Sequence, residues 1–327
     1  MLSWNGFHSQ KIGDPLLTPR PIIVDTDPGQ DDAVALLTAL ASPEELEVLA
    51  VTTVAGNVPL DLTTSNALAL VELAGRPEVP VYRGSVRPMV NRLVTAEYVH
   101  GPTGLDGADL PISTLQVGEG HAVDRIVKIA GERETVTLCA LGPLTNIALA
   151  LVREPEIVSN IDELVMMGGA YFAGGNTTPT AEFNVFVDPH AAHVVFTSGI
   201  PVTMMPLDVT HKALTTEERL RRFRDLGTQA GTSVAGMLDF YDRWDMEKYG
   251  MPGGPLHDPT VIAYLLQPGM FGGKKVHVEV VTAPGPTQGM TVFDWWGVTD
   301  SEPNATVMKD IDADAYFDLL VERIGRL

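Results

Sequence analysis

Four carboxylates stand within eight residues near the start of the chain, directly after the apolar run at 22–24. The segment is Asp25-Thr26-Asp27-Pro28-Gly29-Gln30-Asp31-Asp32. Negative charges at this spacing repel one another, and burial would raise that cost. A bound cation removes the repulsion, and ligands that are all oxygen favour a hard ion such as Ca²⁺ or Mg²⁺ over zinc or iron. The segment therefore predicts a metal site. A solvated acidic turn with Asp31 as a helix cap is the structural alternative.

Further segments place small or polar residues where a strand or an extended segment is predicted to end. They are Thr52-Thr53-Val54-Ala55-Gly56-Asn57, Leu141-Gly142-Pro143-Leu144-Thr145-Asn146, Glu182-Phe183-Asn184 and His257-Asp258-Pro259. In an extended segment, alternation points Glu182 and Asn184 to the same face. Each segment also has a structural explanation: Asn57 could cap a helix or occupy a turn, and Asp258 before a proline is a favourable helix start. A single histidine such as His257 is more often structural than catalytic.

Strands and helices alternate from residue 21 onward. Strands are predicted at 22–25, 46–54, 79–82, 135–140, 162–167 and 202–206, and later around 275–282 and 291–293. Helices are predicted at 31–41, 60–74, 121–131, 144–152, 189–198, 259–266 and 312–324, with a long polar helical region at 216–248. This alternation predicts an α/β fold with a mostly parallel central sheet flanked by helices, a Rossmann-like open sheet. Ligands of such sheets bind at the carboxyl ends of the strands.

The unusual segments spread from residue 25 to residue 258, which favours one domain that gathers them into one site. We therefore expect residues 1–19 to form an N-terminal extension and residues 20–327 a single catalytic domain. Residues 84–110 are irregular, and the segments at 84–110 and 222–256 exceed the usual length of a connection, which makes both of them candidate lids or substrate loops.

Composition and charge exclude several classes of partner. The 327 residues carry a net charge of −20, with an isoelectric point of about 4.6, which disfavours a nucleic-acid partner. The sequence has no apolar run of about 18 residues, so we predict no membrane partner, and the N-terminal residues lack the apolar stretch of a signal peptide. The single cysteine, Cys139, has apolar neighbours. It fits a buried strand thiol and a reducing, cytoplasmic location.

Taken together, the motifs occur in the order found in one known family. Asp-x-Asp-Pro-Gly-x-Asp-Asp after an apolar strand is followed by Thr-x-x-Gly-Asn, by His100-Gly101 with Gly104-Leu105-Asp106-Gly107, and by Gly-Pro-Leu-Thr-Asn. Met-Gly-Gly, Ala-Glu-Phe-Asn and His-Asp-Pro complete the series. The chain resembles the inosine-uridine preferring nucleoside hydrolase family, nearly throughout from Pro21 to about Pro268.

The resemblance implies a Ca²⁺-dependent enzyme that hydrolyses the N-glycosidic bond of ribonucleosides to free base and ribose. It also implies a nucleoside hydrolase-like fold and a homodimer or homotetramer. The implied metal ligands are the carboxylates of Asp27, Asp32 and Asp258 and the backbone carbonyl of Leu141, where many relatives carry threonine. Asp25 would support these ligands from behind.

The resemblance also implies which residues contact the substrate. Asp27 would take the proton of a metal-activated water, and His257 would protonate the leaving base. The presence of His257 favours the branches that are not purine-specific, with inosine, uridine or cytidine as substrate. The implied substrate-binding residues are Asp31, Asn57, His100, Met167, Asn176, Glu182, Phe183, Asn184 and Tyr249.

Two alternatives remain at this point. A haloacid-dehalogenase-like phosphatase also begins with Asp-x-Asp after a strand, but Pro28-Gly29 departs from its pattern and Asp31-Asp32 add charge where phosphate must bind. A non-catalytic, metal-dependent nucleoside- or ribose-binding protein on the same fold is the other. An EF-hand is excluded, because its sixth position would be Gln30 instead of glycine and its twelfth Leu36 instead of glutamate.

Overall fold

The computed structural model describes residues 18–250 and 252–327, with only the backbone for 242–249. The strands are β1 (Arg20–Thr26), β2 (Leu46–Thr53), β3 (Val81–Arg83), β4 (Val136–Ala140), β5 (Ile161–Met167), β6 (Val202–Met205), β7 (Leu214–Thr215), β8 (Gly254–Pro255), β9 (Phe271–Val276), β10 (Val278–Val280), β11 (Thr291–Phe293) and β12 (Ala305–Ile311). The helices are α1 (Gln30–Leu40), α2 (Leu60–Leu73), α3 (Glu97–His100), α4 (Ala122–Glu132), α5 (Thr145–Arg153), α6 (Phe183–Val187), α7 (Pro189–Thr197), α8 (Leu207–Thr210), α9 (Glu217–Arg224), α10 (Gln229–Tyr249), α11 (Pro259–Leu266) and α12 (Ala313–Ile324).

The central sheet has the strand order β3-β2-β1-β4-β5-β6-β12-β9. Its neighbouring strands are parallel except for β9, which runs antiparallel to β12. The predicted α/β fold with a mostly parallel sheet is therefore confirmed. The chain moves outward from β1 to β3 and then returns to the other side of β1 with β4. The gap between the carboxyl ends of β1 and β4 is the switch point at which ligands bind in open sheets.

Burial on both faces explains the composition of the central strands. Ile22 and Val24 of β1 belong to one hydrophobic core and Ile23 to the other, on the opposite face of the sheet. Strands covered on both faces have near-continuous apolar runs. Helix α1 is buried along its whole length, so the acidic residues at its N-terminus are held in the interior.

The structure corrects several sequence predictions. Strand β12, which carries the charged pair at 309–310 near its end, was not predicted. The predicted strand at 275–282 is divided between β9 and β10, and the polar helical region is two helices separated by Gly227, whose φ is +69°. Residues 182–184 were predicted to be extended, yet α6 begins at Phe183. The irregular region at 84–110 contains the short helix α3.

One simpler prediction is borne out. Cys139 is fully buried in β4. Among the described residues, no helix is long and apolar enough to cross a membrane.

Candidate active site

The acidic segment joins the end of β1 to the start of α1. Gly29 is the N-cap residue of α1, and the carboxylate of Asp32 accepts its backbone N–H at 3.0 Å. The other oxygen of Asp32 accepts the hydroxyl of Thr26 at 2.5 Å. Asp32, fully buried, therefore stabilises the helix start from the third helical position, while Gly29 has no side chain that could return a hydrogen bond. The alternative of a solvated turn capped by Asp31 is wrong.

Asp27 is enclosed by the loops that follow β2 and β4. Its Oδ2 accepts the backbone N–H of Asn57 at 2.7 Å, whereas its Oδ1 is buried without a hydrogen-bond partner. A Cβ added to Gly56 or to Gly142 would lie 2.0 Å from a carboxylate oxygen of Asp27. Both loops must therefore carry glycine for the carboxylate to occupy the switch point.

Three further carboxylates converge beside Asp27. Asp31, Asp32 and Asp258 each offer one oxygen, and these oxygens lie within 4.8 Å of one another. Asp258 occupies the N-cap position of α11, as its sequence context suggested, but its side chain makes no capping hydrogen bond. Its carboxylate is therefore available to the cluster. Asp31, which was predicted to bind the ribose, is placed where it could also contact a metal.

The cluster carries an electrostatic cost. Burial, followed by the neighbouring charge of Asp32, raises the pKa of Asp27 well above its usual value, and burial and Asp31 do the same to the pKa of Asp258. Burial raises the pKa of Asp31 to about 7. Within the described part of the chain, no lysine or arginine forms an ion pair with these groups. An all-oxygen set with an unpartnered buried oxygen fits a hard divalent cation.

Asp25 lies behind this cluster. Its Oδ1 accepts the hydroxyl of Thr52 at 2.5 Å and the amide of Asn146 at 2.8 Å, while its Oδ2 is buried without a partner. Burial raises its pKa to about 7. Asp25 thus ties the ends of β1 and β2 to the start of α5.

A cleft opens over the cluster, with about 650 Å³ of free space, solvent at its mouth included. The predicted residues that line it are Asp31, Asn57, His100, Leu141, Met167, Asn176, Glu182, Phe183, Asn184, His257 and Asp258. Asp25, Asp27 and Asp32 are buried and are not in the lining. The side chain of Tyr249 lies outside the described residues.

One wall of the cleft is built around the start of α6. The carboxylate of Glu182 caps that helix, accepting the N–H of Asn184 at 2.8 Å, and also accepts the N–H of Gly169 at 2.8 Å. The amide of Asn184 donates to the carbonyl of Leu141 at 2.7 Å and to that of Met167 at 3.3 Å. Glu182 and Asn184 therefore reach the same cleft because Glu182 caps α6 and Asn184 lies in its first turn. The sequence prediction that strand alternation would point them to one face is wrong.

Two neutral imidazoles line another part of the cleft. Nδ1 of His100 lies 2.7 Å from the amide oxygen of Gln30, and its ring stacks on Tyr241 at 5.4 Å. Nδ1 of His257 lies 2.7 Å from the hydroxyl of Thr210. Burial lowers the pKa of His100 to about 3 and that of His257 well below its usual value. Both rings are thus suited to give or accept hydrogen bonds while uncharged.

Sequence reasoning missed several lining residues, namely Ala96, Tyr98, Val99, Thr177, His211 and Tyr241. His211 follows the short helix after β6, and its ring centroid lies 5.9 Å from that of His257. A polar pair, Thr210-His211, just beyond a strand end is a signal that could have identified it. Tyr241 lies within α10, and nothing in its local sequence distinguishes it from other helix residues.

Comparison with known proteins adds to this geometry. The sequence profile of the family described as inosine-uridine preferring nucleoside hydrolase matches residues 22–318. The chain belongs to this family. Nucleoside hydrolases are enzymes, and the convergence of the family's motif residues on one cleft agrees with that assignment. The phosphatase alternative is thereby excluded.

The alignments with individual relatives cover nearly the whole of this nucleoside hydrolase chain. An uncharacterized protein of Schizosaccharomyces pombe is 49% identical over 94% of this chain and 99% of its own length. A pyrimidine-specific ribonucleoside hydrolase, RihA, of Salmonella paratyphi B is 49% identical over 93% of this chain and 98% of its own. The structure of a purine-preferring ribonucleoside hydrolase from Gardnerella vaginalis is 34% identical, with a TM-score of 0.86 over 94% of this chain and 98% of that one.

Proposed function

We propose that this nucleoside hydrolase is Ca²⁺-dependent and cleaves the N-glycosidic bond of ribonucleosides of the inosine, uridine or cytidine type. The observation that carries the proposal is the set of buried carboxylates at the switch point, with which no lysine or arginine of the described residues forms an ion pair. In this proposal Asp27, Asp32, Asp258 and the carbonyl of Leu141 hold the ion, and Asp31 contacts the ribose beside it. Bound there, Ca²⁺ would grip ribose hydroxyls and lower the pKa of a coordinated water.

The buried oxygen of Asp27 is the proposed proton acceptor. Cleavage builds positive charge on the sugar, and surrounding carboxylates stabilise that charge. Among the described residues, Oδ1 of Asp27 has no hydrogen-bond partner, so it is available to the ion and to the attacking water, from which it would take a proton. Asn57 holds the other oxygen of the same carboxylate, so its orientation is fixed.

The walls of the cleft would hold the two halves of the substrate. Glu182, Asn184 and Asn176, with Met167, are proposed to contact the ribose, since they line the cleft together with Asp31. His257 is proposed to act on the leaving base, whose bonding electrons need a proton or a hydrogen-bond donor. Phe183, His100 and Tyr249 complete the proposed set of substrate contacts.

The choice of base is a finer proposal. A relative named pyrimidine-specific and another named purine-preferring share most of this chain's length. The presence of His257 favours the branches that accept uridine or inosine. A cytoplasmic location and a homodimer or homotetramer also remain predictions.

The test is hydrolysis of inosine, uridine, cytidine and p-nitrophenyl riboside by matched samples stripped of metal and restored with Ca²⁺ or Mg²⁺. Release of ribose that is lost on stripping and recovered with Ca²⁺ would support the proposal and rank the bases. No release from any substrate, with calcium bound, would favour the non-catalytic nucleoside-binding alternative.

A further inference from the structure

The hydroxyl of Thr210 is the partner of His257 inside the protein. Thr210 ends α8, the short helix that follows β6, and is fully buried. Its Oγ1 lies 2.7 Å from Nδ1 of His257, and either atom could be the donor. Among the described residues, neither atom has another hydrogen-bond partner.

The two possible hydrogen-bond directions between Thr210 and His257 differ in whether a buried donor is left without an acceptor. If Nδ1 carries the hydrogen and donates it to Thr210, the hydroxyl hydrogen of Thr210 is buried without an acceptor. If Thr210 donates to Nδ1, each group is satisfied and the ring hydrogen of His257 is on Nε2. A buried donor without an acceptor is costly, so the second arrangement is the more stable one.

A second histidine of the cleft shows that its partners can select the opposite tautomer. The amide nitrogen of Gln30 donates to the carbonyl of His100 at 2.9 Å and to that of Asp106 at 3.2 Å. The amide oxygen of Gln30 must therefore accept, so Nδ1 of His100 carries the hydrogen and Nε2 does not. The amide oxygen of Gln30 can only accept, so it selects the Nδ1–H tautomer of His100. The hydroxyl of Thr210 has no other acceptor among the described residues, so it selects the Nε2–H tautomer of His257.

We propose that Thr210 is a positioning residue that keeps the ring hydrogen of His257 on Nε2, the nitrogen left available to the cleft. This inference rests on the proposed function, in which His257 acts on the leaving base. When the glycosidic bond breaks, its electron pair moves to a nitrogen of the base. Nε2–H donates a hydrogen bond to the departing base, and Thr210 holds the ring in the tautomer that can do so.

The direct test observes the tautomer and needs no turnover. Long-range ¹H–¹⁵N correlation spectra of the calcium-loaded protein distinguish the two ring tautomers, with His257→Gln to assign the resonances. We expect hydrogen on Nε2 of His257 in the wild type and in Thr210→Ser. Thr210→Val removes the hydroxyl that selects the tautomer, so the preference for Nε2–H should weaken and Nδ1–H should become populated, while His100 keeps its hydrogen on Nδ1 as an internal reference. A wild-type His257 with hydrogen on Nδ1 would overturn the proposal.

The kinetic test uses a substrate pair. Thr210→Val should lower kcat on uridine by up to about tenfold, the effect of losing a hydrogen bond to a developing charge entirely. p-Nitrophenyl riboside should change little, because its leaving group needs no hydrogen-bond donor, and Thr210→Ser should restore uridine hydrolysis. Thr63→Val is the matched control, since Thr63 is buried in α2 and, within the described chain, its hydroxyl donates only to the carbonyl of Leu60.

The outcomes separate this proposal from the function on which it rests. Equal losses on both substrates, with the His257 tautomer unchanged, would show that Thr210 is merely structural. A wild-type protein that hydrolyses none of the substrates would refute the proposed function, while the spectra would still decide the role of Thr210.

Discussion

The charged side chains at the two ends of the central sheet differ in burial and in whether the chain supplies their counterions. At the amino ends of the strands, Arg20 lies 3.0 Å from both Asp162 and Glu163, and Arg133 lies 3.1 Å from Glu47. At the carboxyl ends, the cluster of Asp27, Asp31, Asp32 and Asp258 is more deeply buried than these groups. No arginine or lysine in the described part of the chain pairs with it.

The comparison shows which charges serve the fold alone. At the amino ends the chain supplies its own counterions, so these groups need nothing further. At the carboxyl ends the chain leaves negative charge uncompensated in its interior, which lowers stability unless a cation binds. Crowded carboxylates with raised pKa values and an open cleft beside them are typical of a functional site.

The largest effect should come from Asp27→Asn. The amide has the same shape and can fit between Gly56 and Gly142, but it cannot take a proton and binds a cation weakly. We expect kcat on uridine to fall by about 10²–10⁴-fold, the usual contribution of a general base. Asp162→Asn, at the other end of the sheet, is the control and should keep its activity. Turnover near that of the wild type in Asp27→Asn would remove Asp27 from the mechanism.

A smaller loss, and one that depends on substrate, is expected for His257→Ala. Loss of the donor to the leaving base should slow uridine or inosine hydrolysis by about 10²-fold. p-Nitrophenyl riboside should lose much less, because its leaving group is stable as an anion. Steady-state kinetics on the two substrates measure the difference, and equal losses would argue that His257 shapes the cleft without acting on the base.

Removal of calcium should lower the melting temperature. An ion at a hundred times its Kd stabilises the fold by about 2.7 kcal/mol, which corresponds to a shift of about 5 °C in a large domain. Calorimetry of stripped and restored samples measures this. The neutral variant Asp258→Asn should respond less to calcium, and an unchanged melting temperature after verified metal loss would contradict the account.

The effect of calcium on the melting temperature should depend on pH. Burial raises the pKa values of Asp25 and Asp31 to about 7 in the metal-free fold, whereas the usual pKa of an aspartate is 3.8. A raised pKa means that the folded state binds more protons, so the metal-free protein loses stability as pH rises toward and through 7. We therefore expect calcium to raise the melting temperature more at about pH 8 than at about pH 5.

The smallest effect should come from Arg20→Met. Arg20 is partly exposed, so its loss should cost about 1 kcal/mol or less, a decrease of about 2 °C in melting temperature. Activity should be unchanged, because the residue lies at the end of the sheet away from the cleft. A loss of kcat in this variant would show that the two ends are coupled.

Contiguous motifs explain how much of the site could be predicted. Asp25 to Asp32 lie together in the sequence, at the end of a strand whose apolar run is plain, so both the strand and the cluster follow from local pattern. Parallel strands bring their carboxyl ends to one edge, which places Asn57 and Leu141 there as well. Family resemblance then supplied the distant members such as Asp258.

The features that were missed depend on tertiary contacts. Tyr241 reaches the cleft because α10 packs beside α1, and helix periodicity gives no sign of it. Strand β12 joins the sheet between β6 and β9 despite a charged end, since sheet pairing overrides local composition. The role of Thr210 is visible only when its hydroxyl is seen beside His257.

The most direct test of the account is calcium titration of the stripped protein, with bound calcium and ribose release from uridine measured in the same samples. The account predicts that activity rises in proportion to calcium bound in the cluster, and that Asp258→Asn weakens both together. Full hydrolysis by verified metal-free protein, or calcium binding that is unaffected by Asp258→Asn, would contradict the claim that these carboxylates hold the ion that the reaction needs.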